Sequence, residues 1–124
     1  MTEKKLHLAI CKYIKLQYPN IYFLSDPSGL KMSIGMAMQL KQARSNHAQL
    51  DIVMLEPNSK YNGLILEVKK AENQVYKKNG EFRSSEHVKK QNESIEHLRK
   101  KMYICNYVFN FDEAIEIIDA YLTN

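Results

Sequence analysis

Three residues of this chain have the types and spacing for phosphate-ester chemistry: Asp51, Glu67 and Lys69. They fall in two apolar runs. Leu64-Ile65-Leu66-Glu67-Val68-Lys69 reads as a strand, and strand side chains alternate between faces. Leu64, Leu66 and Val68 therefore point one way, and Glu67 and Lys69 the other. A carboxylate and an ammonium side by side are costly to bury without partners, so the pair belongs at a sheet edge or in a cleft. Asp51 opens the preceding strand, Leu50 to Leu55, with 15 residues between it and Glu67. Glu56-Pro57-Asn58 stops that strand, and a loop of this length makes a hairpin the expected connection. Paired in a hairpin, Asp51 and Glu67 come close enough to repel unless a cation lies between them. Hard divalent ions favour such an all-oxygen site. An ion there activates water and stabilises charge on a phosphate, with Lys69 at its shoulder. The plainer reading of the same residues is a strand end where solvent begins.

The elements that must position these residues follow from periodicity. Residues 3–18 carry Leu6, Ile10, Tyr13, Ile14 and Gln17 at helical steps, and Pro19 ends the helix. Ile21 to Ser25 is a short strand, followed by the turn residues Asp26-Pro27-Ser28-Gly29. Lys31 to Arg44 turns helical in its second half, with Met32, Met36 and Met38 as core or dimer filler. Lys77-Lys78-Asn79-Gly80 reads as a basic, exposed loop, within a stretch from Asn73 to Arg83 expected to be a mobile basic loop. Ser85 to Met102 is a helix with Val88, Ile95, Leu98 and Met102 on one face. Tyr103 to Phe109 is a strand. Asn110 caps a last helix with Glu113 in capping-box position and Ile115, Ile118 and Leu122 as its buried stripe. The expected fold is α/β, a mixed sheet of about four strands flanked by helices, in one domain over residues 1–124. Tyr13, Tyr103 and Tyr107 are expected in its core.

Composition narrows the function classes. The 124 residues are 44% hydrophobic and 26% charged, with 18 Lys and Arg against 14 Asp and Glu, a formal charge of +4. That excess suits a polyanionic partner and equally an ordinary basic surface. Cys11 and Cys105 stand far apart in apolar stretches and read as reduced thiols of the core. The four histidines have no zinc spacing. No stretch is long and apolar enough for a membrane span, and MTEKKLHLAI lacks a secretory h-region, so a cytoplasmic protein is expected.

Asp51 with Glu67-Val68-Lys69 resembles the signature of the PD-(D/E)xK nucleases, and the wider chain is similar to the VRR-NUC branch, especially its stand-alone phage and bacterial forms. The correspondence runs in order along nearly the whole chain. Glu3 stands on the first helix, Asp26-Pro27-Ser28-Gly29 matches a Pro/Gly turn, and Lys31 to Arg44 a Lys-rich helix. The metal strand comes next, then Gln91 seven residues before Leu98, and finally Phe111-Asp112-Glu113-Ala114-Ile115. Leu50, Ala48 and Arg44 depart from the family's proline and glycines before the metal strand.

The resemblance implies a restriction-endonuclease-like core. Mg²⁺, with Mn²⁺ as substitute, would be held by Asp51, Glu67 and the Val68 carbonyl, with Glu3 a further ligand directly or through water. Lys69 is the implied catalytic lysine, and Gln91 would support the catalytic site from its helix. The implied activity is metal-dependent hydrolysis of DNA phosphodiesters, selective for branched DNA like a Holliday-junction resolvase, by a homodimer. Lys77, Lys78 and Arg83 are the first candidates for DNA backbone contacts, with Lys31, Arg44 and His47 beside them. The rival readings are a DNA-binding protein with the nuclease fold but no activity, and an accessory module for a protein partner.

Overall fold

The computed structural model describes residues 1–26 and 31–124. In chain order the elements are α1 (Glu3–Gln17), β1 (Phe23–Ser25), α2 (Ile34–Ala43), β2 (Ile52–Met54), β3 (Gly63–Val68), α3 (Glu86–Arg99), β4 (Tyr103–Val108) and α4 (Phe111–Leu122). Each helix starts at a side chain that accepts a hydrogen bond from an otherwise unpaired amide. Thr2 serves Lys5, Ser33 serves Met36, Ser85 serves Val88 and Asn110 serves Glu113. Such caps stabilise a helix by about 1 kcal/mol each.

Among the described residues the strands form one mixed sheet in the order β1-β2-β3-β4. β1 and β3 both run antiparallel to β2, while β4 runs parallel to β3. The parallel pair requires a crossover, and α3 supplies it. α1 and α4 cover one face of the sheet, where Leu6, Ile10 and Ile14 meet Leu64, Leu66, Val68 and Ile118. The other face packs Leu50, Ile65, Ile95 and Cys105 together. Every residue of β3 is buried. Glu67 and Lys69 therefore project from an interior strand into a cleft, not from a sheet edge.

The helical stripes are set by tertiary packing as much as by periodicity. α4 buries Ala114, Ile118 and Tyr121 in place of Ile115 and Leu122. α3 buries Val88, Gln91, Ser94 and Ile95 and stops at Arg99, because Met102 adopts a left-handed backbone with φ 66°. α2 buries no residue, so Met36 and Met38 are exposed and Met32 half-buried, and none of them fills the core. Tyr13, Tyr103 and Tyr107 are half-buried at the margins, and Tyr121 is the tyrosine in the core. The Lys77–Gly80 segment is exposed, as expected, and is shaped into a turn by hydrogen bonds and ring packing. Lys77 N–H donates to Glu81 O at 2.7 Å, Arg83 N–H donates to Val75 O at 2.7 Å, and the Tyr76 and Phe82 rings stack at 5.2 Å. Pro27, Ser28 and Gly29 of the expected turn lie outside the described residues.

Candidate active site

The β2–β3 register pairs Ile52 with Leu66, which brings Asp51 opposite Glu67. Each carboxylate then binds the backbone of the other's strand. Asp51 N–H donates to Glu67 Oε1 at 3.0 Å, and Val68 N–H donates to Asp51 Oδ2 at 2.8 Å. This reciprocal clasp fixes both acids at the C-terminal end of β3. Glu67 Oε2 accepts a hydrogen bond from Gln91 Nε2 at 2.5 Å and lies 3.8 Å from Lys69 Nζ. Gln91 Nε2 also lies 3.1 Å from His87 Nε2. An amide nitrogen has two hydrogens, so one serves Glu67 and the other His87, whose Nε2 is then the acceptor.

These residues line one cavity of about 310 Å³, with Glu3, Lys4, His7 and Gln49 completing its walls. Glu67 and Lys69 are 4% and 6% exposed, so neither acid nor base is a solvated strand end. Burial raises the Asp51 carboxyl above its ordinary range, against the Val68 amide and the charges of His7 and Lys69. Burial, together with the charge of Asp51, pushes Glu67 up to about 9, against the pull of Lys69. Two acids so placed cannot both ionise comfortably without added positive charge.

A divalent cation fits what this site lacks. The donors are carboxylate and carbonyl oxygens, the chemistry such ions favour. Gln91 Oε1 is buried and has no hydrogen-bond partner among the described residues, as an acceptor awaiting an ion's water molecules would be. Among the described residues no three His, Cys, Asp or Glu side chains stand close enough to hold a metal by themselves. A metal ion held by Asp51 and Glu67 would therefore need the Val68 carbonyl and water to complete its shell. Glu3 lines the same cavity but accepts a 3.3 Å hydrogen bond from Lys70 N–H, which suits contact through water.

The other expected residues lie outside this cavity. Lys77 and Lys78 sit on the Tyr76–Phe82 turn, and the Arg83 guanidinium donates to the Asn73 carbonyl. Lys31 is exposed. Arg44 is ion-paired with Asp26 at 2.6 Å and, with His47, lines a separate cavity beside the first. Four residues of the cavity escape sequence reasoning, Lys4, His7, Gln49 and His87, and two of them contact other side chains there. His87 lies one turn before Gln91 on α3, a spacing that is visible but uninformative until Gln91 is placed. His7 reaches the site from α1 and contacts Ser25 Oγ at 2.6 Å, a juxtaposition no local pattern reveals.

No protein-family model matches the chain, and no curated protein does. Among solved structures, one described as a VRR_NUC domain protein shares the fold. It superposes with a TM-score of 0.69 at 21% identity, over 99% of this chain and 89% of that one.

Proposed function

We propose, from the fold shared with a VRR_NUC domain protein, that this chain is a metal-dependent nuclease hydrolysing DNA phosphodiesters. The observation that carries the reading is the clasped pair Asp51 and Glu67 with Lys69 beside it, buried in one cavity at the end of β3. Asp51, Glu67 and the Val68 carbonyl would hold a divalent cation, with Glu3 as a further ligand directly or through water, and the ion would supply acidification of water and neutralisation of phosphate charge.

The chain's own residues do the rest. The backbone clasp holds both carboxylates in place, so they need not reorganise as charge develops. Gln91 fixes the second oxygen of Glu67. The Lys69 ammonium stabilises negative charge growing on the phosphate oxygens. Water adds to phosphorus, the ester bond to one sugar oxygen breaks, and the proton released ends on the departing alcohol. Affinity comes from basic groups contacting the backbone, so DNA shape decides the substrate more than sequence does. Lys77, Lys78, Arg83 and Lys31 are the proposed backbone contacts. A homodimer, the commonest oligomer, would present two such sites to a branched substrate.

The test is a panel of labelled duplex, nicked, flapped and four-way DNA incubated with Mg²⁺ or Mn²⁺, with Asp51→Ala and Lys69→Ala run in parallel. Wild-type cutting that falls by about 10²–10³-fold in Lys69→Ala supports the mechanism. Cutting by Asp51→Ala at the wild-type rate sinks it. DNA binding without cutting or metal uptake would identify a binding protein on the nuclease fold.

A further inference from the structure

A second cavity of about 380 Å³ lies between α3 and the sheet, within the range of small-ligand pockets. Its walls are largely apolar, from Leu50, Val53, Ile65 and Leu98. Ser94 also lines it. That side chain is 2% exposed, and its hydroxyl has no hydrogen-bond partner among the described residues. A buried hydroxyl left without a partner is unfavourable, so a ligand with a polar edge would be stabilised there. The His47 and His97 rings, which also line the cavity, stack with centroids 4.4 Å apart.

The surroundings select the ligand. A third cavity of about 490 Å³ shares His47 and Gln49 with this one and is lined by Lys41 and Lys90, with Arg44 ion-paired to Asp26. Gln49 also lines the cavity that holds Asp51 and Glu67. An apolar slot, stacked planar rings, one unsatisfied hydroxyl and adjoining ammonium groups match the parts of a nucleotide: flat base faces, a polar base edge and a phosphate. We propose that this cavity takes one unpaired nucleobase of the strand being cut, with the neighbouring phosphate on Lys41 and Lys90. The proposal rests on the nuclease reading and deepens it. A base held in a duplex cannot enter such a cavity, so the slot favours DNA with bases out of the stack.

The test is done in EDTA, without cleavage. A short single strand carrying 2-aminopurine and a blunt duplex of the same sequence are titrated with wild type, Ser94→Met and His97→Ala. Methionine fills the slot, while His97 is exposed, so its replacement leaves the core intact. Wild type should bind the single strand about tenfold tighter than the duplex and change the 2-aminopurine emission, as stacking on one base can give. Both variants should lose most of that preference, with Mg²⁺ uptake by calorimetry unaltered. Equal affinity of wild type for the two DNAs, or an unchanged preference in both variants, overturns the proposal. So does a drop in sedimentation mass with Ser94→Met, which would make the cavity an interface between copies. Metal-dependent cutting by a wild type that shows no preference removes the slot and leaves the nuclease reading standing. Binding of neither DNA in EDTA removes the slot, and failure to bind or cut either DNA with Mg²⁺ as well removes the nuclease reading with it.

Discussion

Gln91 on α3 donates through Nε2 to Glu67 Oε2 on β3 at 2.5 Å, and both side chains are buried. The crossover helix thus holds one oxygen of the acid while the Asp51 amide holds the other at 3.0 Å. Glu67 has no rotational freedom left, which is what a metal-binding carboxylate needs for affinity. Partners of metal ligands typically contribute 10- to 100-fold to metal binding. Gln91→Ala should weaken Mg²⁺ binding by about that factor. His87→Ala, which removes only the acceptor for the other N–H of Gln91, should weaken it less. Titration calorimetry reads both. Wild-type affinity in Gln91→Ala would mean the contact is structural only.

The raised carboxyl of Glu67 makes stability depend on pH in a fixed direction. Its folded value of about 9 lies above the ordinary 4.5, so the folded state holds the proton more tightly than the unfolded chain. Its contribution is complete below about 4.5 and is lost as pH rises towards 9. Without metal, Glu67→Gln should therefore melt higher than wild type at pH 8.5. The gap should be about 5 °C, corresponding to roughly 1–2 kcal/mol, and should shrink towards pH 5. The Gln91 amide turns over to accept from the new side chain. If Glu67 is a metal ligand as proposed, saturating Mg²⁺ should reverse the order, because a carboxylate would bind the ion more tightly than an amide. Thermal melts with EDTA and with Mg²⁺ at both pH values check the sign. A gap that widens on acidification would contradict it.

The adjacency of these acids was legible from two local rules, while the role assigned to them rested on the resemblance of the wider chain. Alternation along Leu64–Lys69 put Glu67 and Lys69 on one face, and the hairpin put Asp51 beside them. What surrounds them was not legible, since it depends on contacts distant in sequence. Nothing in Leu64–Lys69 says that β4 will pair on the strand's far side, or that Lys69 will be buried in a cavity walled by α1 and α3. Cys11 shows the same limit. Its apolar run predicts the core, yet α1 turns it towards Ser25, where it is half-buried. Strand ends were also overextended, because Ile21 and Leu55 carry strand-like side chains but flank strands of three residues.

Met102 ends α3 in a left-handed conformation at φ 66°, with its side chain 44% exposed. A side chain bearing Cβ is strained there and glycine is not. Met102→Gly should therefore stabilise the protein by about 0.5–1 kcal/mol, raising the melting temperature by a few degrees. Gly80, at φ 86°, already has the residue its turn requires, so Gly80→Ala should cost about as much. A Met102→Gly protein that melts below wild type would show that contacts of the methionine outweigh the backbone strain.

Gly63 is the position where the hairpin and the parallel pair are both threaded past one Cα. A Cβ there would sit 2.7 Å from the Met54 carbonyl oxygen and 3.0 Å from the Tyr103 ring. The ring can tilt, but the carbonyl belongs to a paired strand and cannot move alone. Gly63→Ala must push β2 and β3 apart at the end opposite the acids, at a cost of about 1–3 kcal/mol. Chemical denaturation measures that loss. The same displacement runs down a register of three pairs to Asp51 and Glu67. Mg²⁺ affinity should therefore fall along with stability. A variant that loses stability but binds Mg²⁺ as tightly as wild type would show that the clasp between Asp51 and Glu67 holds its geometry independently of the far end of the sheet.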